Sequence, residues 1–193
     1  MAARKRSVQA FVELRSEDPE RTSALAVARE RLAAGRTLEG LRRFRLFEIS
    51  GSALEPAALA ERLHGSTQFY NPAKERCVVR ADAAEPVPAA HGEALVLVVE
   101  RGGERRPAAE RWWRHAAGER VEVREGVVWA LRFAPGTDAA AAAGDLAVAR
   151  DHAHGLLANP HAEEHRVVAG ALPPCDWMTL RPVRPGRRTR RSS

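Results

Sequence analysis

Residues 8–14 read VQAFVEL, a run in which β-branched and other apolar side chains alternate with polar ones, as in a half-buried strand. Residues 96–102, 88 positions further along, read VLVVERG, which is again an apolar strand opening into a glycine-containing turn. The dipeptide Asn71-Pro72 recurs at the same spacing as Asn159-Pro160, and each time it precedes a strand-like segment that contains valines. These matches predict an internal repeat.

The first copy contains clear helix signals between its two matches. Asp18 is a good N-cap and Pro19 a good first helical residue, so a helix is predicted to begin there. Residues 41–49 read LRRFRLFEI, which indicates one or two strands. A second helix is predicted to open at Glu55-Pro56 and to end before Gly65.

The second copy shows the same order of elements. A short, tryptophan-rich helix is predicted around residues 107–116. Glu125-Gly126 lies between two alternating segments, a pattern typical of a β-hairpin in which the glycine supplies a positive φ. A last helix is predicted to begin near Asp145 and to end at Asn159-Pro160.

The sequence therefore predicts an α+β protein of two tandem, ferredoxin-like βαββαβ units, with antiparallel sheets and with helices packed on one face of them. The predicted segments are a basic N-terminal arm (1–6), a first repeat (7–80), a linker (81–93), a second repeat (94–169) and a flexible tail rich in proline and arginine (170–193).

Positive charge is concentrated at one end of the sequence. The formal net charge is +6, and residues 181–193 hold six arginines and no acid, so the residues before them carry no net charge. A nucleic-acid-binding protein built on ferredoxin-like repeats is an alternative class, but the neutral body and the lack of an aromatic RNA-binding strand argue against it. Binding through the tail alone would be non-specific and would weaken as salt rises.

Cysteine usage and hydropathy indicate a cytoplasmic protein. Cys77 and Cys175 show no CxxC spacing, which fits a reducing compartment without a disulfide framework or a zinc knuckle. The longest apolar stretch, residues 94–99, is much shorter than the roughly 18 residues that span a bilayer. No membrane association is expected, and the N-terminal residues do not have the pattern of a secretory signal.

The sequence predicts no catalytic residue and no metal ligand set. His161, Glu164 and His165 match an H-x-x-E-H zinc motif, but that chemistry needs a helix and a further carboxylate ligand, and the following residues contain no glutamate. Trp112 and Trp113 could stack on bases. Because adjacent residues on a helix cannot share a face, at least one of them is expected in a core or an interface.

The segment that runs from Gly155 through Leu-Leu-Ala-Asn-Pro160 into His-Ala-Glu-Glu-His-Arg-Val resembles the closing segment of the PurS family. Residues 123–133, VREGVVWALRF, resemble the central hairpin of that family. The likeness covers residues 94–169, and more loosely residues 7–80 as a second, diverged copy. PurS is the small subunit of phosphoribosylformylglycinamidine synthase.

This resemblance implies a non-catalytic adaptor of purine biosynthesis that bridges a glutaminase subunit and an ATP-dependent synthetase subunit. It implies no cofactor on this chain, with ATP and magnesium on the partner synthetase, and it allows self-association. Asn71, Pro72, Asn159 and Pro160 are the candidate subunit contacts, although these residue types also end helices and form turns. A stand-alone enzyme or ligand sensor on the same fold is a further alternative, since fold does not decide function.

Overall fold

The computed structural model describes residues 6–81, 84–101, 104–148, 151, 154–170 and 177–178 of the chain. Of the predicted N-terminal arm only Arg6 lies within these ranges, as the first residue of a strand. Among the described residues, no helix is both long and apolar enough to cross a membrane.

The described residues form seven strands and four helices, in an order that is similar in the two halves of the chain. The elements of the first half are β1 (Arg6–Leu14), α1 (Pro19–Arg31), β2 (Leu38–Ser52), α2 (Pro56–His64) and β3 (Glu75–Arg80), with a 3-10 turn at Ala34–Thr37. Those of the second half are β4 (Ala94–Glu100), β5 (Glu104–Arg105), α3 (Pro107–Ala117), β6 (Glu122–Phe133), α4 (Ala139–Ala147) and β7 (Glu163–Val168).

Local signals place the first helix where the sequence predicts it. The Asp18 carboxylate accepts hydrogen bonds from the backbone N–H of Glu20 at 2.9 Å and of Arg21 at 3.3 Å. These bonds satisfy two amides that have no partner inside the helix. Pro19 follows as the first helical residue, so the predicted start of α1 is confirmed.

The strands form one antiparallel sheet in the order β3-β1-β2-β6-β4-β7, with β5 paired to β6. This confirms the α+β class and the antiparallel pairing. In each half, one long strand, β2 or β6, stands where a βαββαβ unit has two central strands. The βαββαβ order predicted for each repeat is therefore not confirmed at this point.

The hairpin predicted at Glu125-Gly126 is wrong, because β6 runs straight through both residues. Gly126 pairs with Leu46 on β2 and does not have a positive φ. A methyl group at this position would lie 2.9 Å from Val99 Cγ1 and 3.0 Å from Met178 Sδ. The glycine is needed for close packing against the sheet rather than for a turn.

The last helix begins and ends earlier than predicted. Asp138, rather than a residue near Asp145, caps α4 by accepting from the backbone N–H groups of Ala140 and Ala141, each at 3.1 Å. The alanine run that follows has the highest helix propensity, and α4 ends at Ala147.

The two halves of the sheet are paired in the same register. In the first half, Gln9 on β1 pairs with Glu48 on β2 and with Arg80 on β3. In the second half, Leu95 on β4 pairs in the same way with Ala130 on β6 and with Val168 on β7. Arg45 and Val127 therefore occupy equivalent positions, three residues before Glu48 and Ala130. Arg45 and Val127 also pair with each other across β2 and β6, so they mark the centre about which the two halves correspond.

All four helices pack on one face of the sheet, in two hydrophobic clusters. One cluster joins α1 of the first half to α4 of the second over the start of β2 and the end of β6. The other joins α2 to α3 over β1 and the opposite ends of the two long strands. Each cluster thus draws on both halves of the chain, and each half buries its helices against the other.

The opposite face of the sheet is also apolar and is covered by segments without regular structure. Its buried residues include Phe11, Phe44 and Leu97, and Val87 from the predicted linker packs on them. Trp177 and Met178 pack on the same face and are 3% and 7% exposed. For these two residues the structure differs from the predicted flexible tail, while residues 171–176 and 179–193 lie outside the described part of the chain.

Candidate functional site

Asn71 and Pro72 form a tight turn that leads into β3. The Asn71 side-chain oxygen accepts from the backbone N–H of Ala73 at 3.0 Å, and its carbonyl accepts from that of Glu75 at 2.8 Å. The Glu75 carboxylate in turn accepts from the backbone N–H of Asn71 at 2.6 Å. Asn71 and Glu75 therefore each donate a backbone N–H to the other residue across the turn.

Asn159 and Pro160 form the same turn before β7. The Asn159 side chain accepts from the backbone N–H of His161 at 3.0 Å, and its carbonyl accepts from that of Glu163 at 2.8 Å. The Glu163 carboxylate accepts from the backbone N–H of Asn159 at 2.6 Å. Both copies thus use an Asn-Pro-x-x-Glu sequence, in which the glutamate closes the turn that the asparagine opens.

An arginine just beyond the end of the neighbouring strand, β1 or β4, holds each turn. Arg15 donates to the Pro72 carbonyl at 3.2 Å, and Arg101 donates to the Pro160 carbonyl at 2.7 Å. The turns lead into the two edge strands of the sheet, so the structure does not bring the four predicted contact residues together. Asn71, Pro72 and Asn159 are exposed and Pro160 is half-buried. Their role in subunit contact stays a prediction.

A chain of ion pairs crosses the helix-covered face near the centre of the sheet. Arg45 contacts Glu75 at 2.7 Å and Glu125 at 3.7 Å, and Glu125 contacts Arg106 at 2.7 Å. The Glu75 that closes the first Asn-Pro turn is therefore tied to the centre of the sheet. At the position equivalent to Arg45 the second half has Val127, so the second turn has no such link from this position.

A second ion-pair group joins β2 to the start of α1. The Arg43 guanidinium contacts the carboxylates of Glu20 at 2.7 Å and Asp18 at 3.6 Å, and it lies 5.7 Å from the centroid of the Trp129 ring. Each arginine of these two groups faces at least one carboxylate, and in the second group two carboxylates face one arginine. The groups therefore fix the helices to the sheet rather than form an anion site.

A buried polar cluster lies on the other face of the sheet. Gln9, Glu48 and Arg80 are each 0% exposed. Gln9 donates to Glu48 at 2.9 Å and accepts from Arg80 at 2.9 Å. Glu48 also accepts from the backbone N–H of Met178 at 2.7 Å. The equivalent residues of the second half are Leu95, Ala130 and Val168, so this cluster is particular to the first half.

This cluster anchors the segments that cover the sheet. Arg80 donates to the Glu85 carbonyl at 2.6 Å, which holds the linker, while Glu48 holds Met178. Buried polar groups are stabilising only when they are hydrogen-bonded, and these bonds are made within the protein. Sequence reasoning missed the cluster, because Gln9 and Glu48 alternate with apolar residues in the same way as the solvent-facing residues of a half-buried strand.

Helix α3 presents two unlike faces. Trp113 is fully buried and donates from Nε1 to Glu119 at 3.2 Å, which confirms that one tryptophan of the pair lies in the core. Trp112 is half-buried and makes edge-to-face contacts with Phe69 and Trp113, with ring centroids 6.2 and 6.0 Å apart. Arg111 and Arg114 lie on the exposed side.

Glu119 connects the two halves at the end of this helix. Its carboxylate accepts from Ser52 Oγ at 2.7 Å and from the backbone N–H of Ala53 at 2.8 Å, as well as from Trp113. Partial burial raises the pKa of this carboxyl, but the hydrogen bonds from Ser52, Ala53, Trp113 and Leu54 outweigh that effect, and the net pKa lies below its usual value.

The H-x-x-E-H motif does not have the geometry of a zinc helix. His161 lies in the turn after Pro160, whereas Glu164 and His165 lie in β7, where they pair with Val99 and Val98. Neighbouring residues of a strand point to opposite faces. Within the described ranges, no group of three or more histidine, cysteine, aspartate or glutamate side chains is placed to hold a metal ion.

Cys77 is not placed as a nucleophile. Burial raises the pKa of its thiol to about 12, and the nearby Glu75 carboxylate adds to the effect. The neutral thiol packs against the cluster that contains α2 and α3. Cys175 lies outside the described residues.

Comparisons with family models, characterised proteins and solved structures find no significant match.

Proposed function

We propose that this protein is a non-catalytic adaptor of phosphoribosylformylglycinamidine synthase, composed of two PurS-like units fused in one chain. The observation that carries the proposal is the pair of Asn-Pro turns, because the segment with the closest resemblance to PurS, at Asn159-Pro160, has a counterpart with the same hydrogen bonds at Asn71-Pro72. Matching turns before two matching edge strands support descent of both halves from one ferredoxin-like unit.

The interlocked cores support a fused pair rather than two separate domains. The α1/α4 and α2/α3 clusters each contain elements of both halves, in the way that two subunits of a dimer share a core. In this proposal the single chain supplies what a dimer of separate PurS subunits would supply. The equivalent surfaces of the two halves have diverged, which suits an adaptor that must contact two different partners.

The proposed role is to hold the glutaminase beside the synthetase. Ammonia released from glutamine would then reach formylglycinamide ribonucleotide, which the synthetase converts to the amidine in an ATP-dependent step. ATP and magnesium would bind the synthetase, and no residue of this chain would take part in the bond-making steps. The site residues of this chain would be contact residues, with Asn71, Pro72, Asn159 and Pro160 as candidates.

Reconstitution from purified subunits tests this proposal. Formation of formylglycinamidine ribonucleotide is measured with glutaminase and synthetase from the same organism, with and without this protein. Glutamine-dependent activity is expected only when all three are mixed. Activity driven by added ammonium chloride needs only the synthetase, and it serves as the control that this enzyme is intact.

Equal glutamine-dependent activity without this protein, together with no shared peak on a sizing column, would contradict the proposal. A complex that forms but does not raise glutamine-dependent activity would support binding and would contradict the bridging role.

A further inference from the structure

The exposed side of α3 and the segment just after this helix carry arginines that have no partner within the described part of the chain. Arg111, Arg114 and Arg120 are exposed, and none of them makes an ion pair or a side-chain hydrogen bond there. We call these three residues the α3 basic face. They contrast with Arg43 and Arg45 of the sheet, each of which contacts a carboxylate.

The corresponding side of α1 has no such charge. Both helices begin with a proline, and alignment of Pro19 with Pro107 places Ser23 and Ala26 at the positions of Arg111 and Arg114. Ser23 and Ala26 are exposed as well. The two helices follow equivalent strands, so the arginines are a property of one copy and not a requirement of the fold.

The neighbouring tryptophan does not suit a nucleic-acid site. Proteins that bind single strands use exposed aromatic rings on which bases stack. Trp112 is half-buried, and its ring contacts Phe69 and Trp113 instead. Charge without an aromatic platform fits a carboxylate-bearing protein surface, to which arginine binds with planar, often paired hydrogen bonds.

We infer that the α3 basic face docks onto an acidic surface of one of the two partner subunits, and that the α1 side does not. This inference deepens the proposed function and rests on it. Exposed charges at an interface act mainly on association rate, partner choice and salt dependence. Two unlike helix faces on equivalent positions would let one chain distinguish its two partners.

The test compares two charge-reversed proteins that change net charge equally. Arg111→Glu with Arg114→Glu alters the α3 basic face. Arg31→Glu with Arg36→Glu is the control, since both of these arginines are exposed and Arg31, like Arg114, lies in the last turn of its helix. Affinity for the purified glutaminase and for the purified synthetase is measured by titration calorimetry at 50 and 300 mM NaCl.

The α3 variant is expected to bind one of the two subunits at least roughly tenfold more weakly than wild type at 50 mM salt, with the control within about twofold. The wild-type affinity for that subunit should fall with salt, and the variant should lose most of this dependence. Arg111→Gln with Arg114→Gln, which removes charge without adding repulsion, should show a smaller loss. Unchanged unfolding midpoints establish that the variants are folded.

Four outcomes would overturn the inference. Wild-type affinity in the α3 variant would show that the face is not used, and this would leave the adaptor role standing. An equal loss in the control would show a general effect of charge. If the α3 variant lost the wild-type protein's binding to a labelled 20-nucleotide RNA but still bound the subunits, the face would be assigned to nucleic acid. If wild type binds neither subunit, the adaptor proposal fails together with this inference.

Discussion

Arg43 and Glu125 occupy equivalent positions on either side of the Arg45–Val127 pair, and they carry opposite charges. Arg43 contacts Asp18, the N-cap of α1, whereas Glu125 contacts Arg106, the N-cap of α3. From the first half to the second, the strand residue thus changes from arginine to glutamate and the N-cap residue changes from aspartate to arginine. Each half keeps an ion pair between its long strand and the start of its first helix, although neither residue type is retained.

Reversal of only one member should destabilise the fold. Arg43→Glu would place a third carboxylate beside Asp18 and Glu20, in a site where Arg43 is mostly buried. We expect a loss of about 1–3 kcal/mol in the free energy of unfolding, measured by urea denaturation at pH 7. Arg31→Glu, on an exposed site, should change it by less than about 0.5 kcal/mol. An unchanged midpoint for Arg43→Glu would contradict this account of the pair.

Glu119 should make stability depend on pH. Its carboxyl has a lower pKa in the folded protein than is usual, so the folded state binds fewer protons than the unfolded chain. The stabilisation is therefore present above the pKa of the unfolded carboxyl and is lost as pH falls through the folded pKa. Glu119→Gln should cost about 1 kcal/mol at pH 7, because Glu119 is only partly buried, and less at about pH 3.

The control for this measurement is Glu61→Gln, which alters an exposed glutamate on α2. It should unfold like wild type across the same pH range. If the difference between Glu119→Gln and wild type did not shrink on acidification, the hydrogen bonds from Ser52 and Ala53 would not be the source of the effect.

Gly126 and Gly144 form a matched pair for substitution by alanine. In Gly126→Ala the new methyl group would meet Val99, Met178 and the Val98 carbonyl at 2.9–3.0 Å, and we expect a loss of about 1–3 kcal/mol. Gly144 lies in α4, where an added methyl group would meet no atom within 4 Å beyond its own stretch of helix, so Gly144→Ala should stabilise the protein by about 0.5–1 kcal/mol. Thermal or urea unfolding of both variants checks the opposite signs.

Cys77 should react slowly as long as the protein is folded. With its pKa at about 12, only roughly one thiol in a thousand is ionised at pH 9, and the thiolate is the reactive form. Alkylation by iodoacetamide at pH 8, followed by peptide mapping, should be at least tenfold slower in buffer than in denaturing urea. Equal rates in the two solutions would show that the thiol is not shielded.

Local residue signals predicted part of this fold because they act without distant partners. The Asp18-Pro19 start of α1 depends only on the next three residues, and both Asn-Pro turns depend on a glutamate four positions on. The hairpin predicted at Gly126 was wrong because a glycine between alternating segments usually indicates a turn. Only the residues packed around this glycine show why it lies inside a strand instead. Those residues, Val99 and Met178, are distant in sequence.

Long-range pairing also decides where charge is buried. Gln9 and Glu48 occupy alternate positions of their strands, as solvent-facing residues do, and only the cover that includes Met178 makes them interior. The α3 basic face could have been suspected from the spacing of Arg111 and Arg114. The sequence could not show that these arginines have no partner within the described residues, because this depends on which carboxylates the fold brings near them.

The two Asn-Pro turns should respond equally to the same substitution. Asn71→Ala and Asn159→Ala each remove one side-chain acceptor from a turn amide, so each should cost about 0.5–2 kcal/mol, by analogy with the loss of a helix cap. The turns lie at opposite edges of the sheet and share no partner, so the double variant should show the sum of the two losses within about 0.5 kcal/mol. Urea unfolding of the two single variants and the double variant measures this, with the exposed Gln68→Ala as control. A large loss of stability for one turn and none for the other would show that the equivalent hydrogen bonds contribute unequally to the free energy of unfolding. It would also weaken the case that the two halves are copies of one unit.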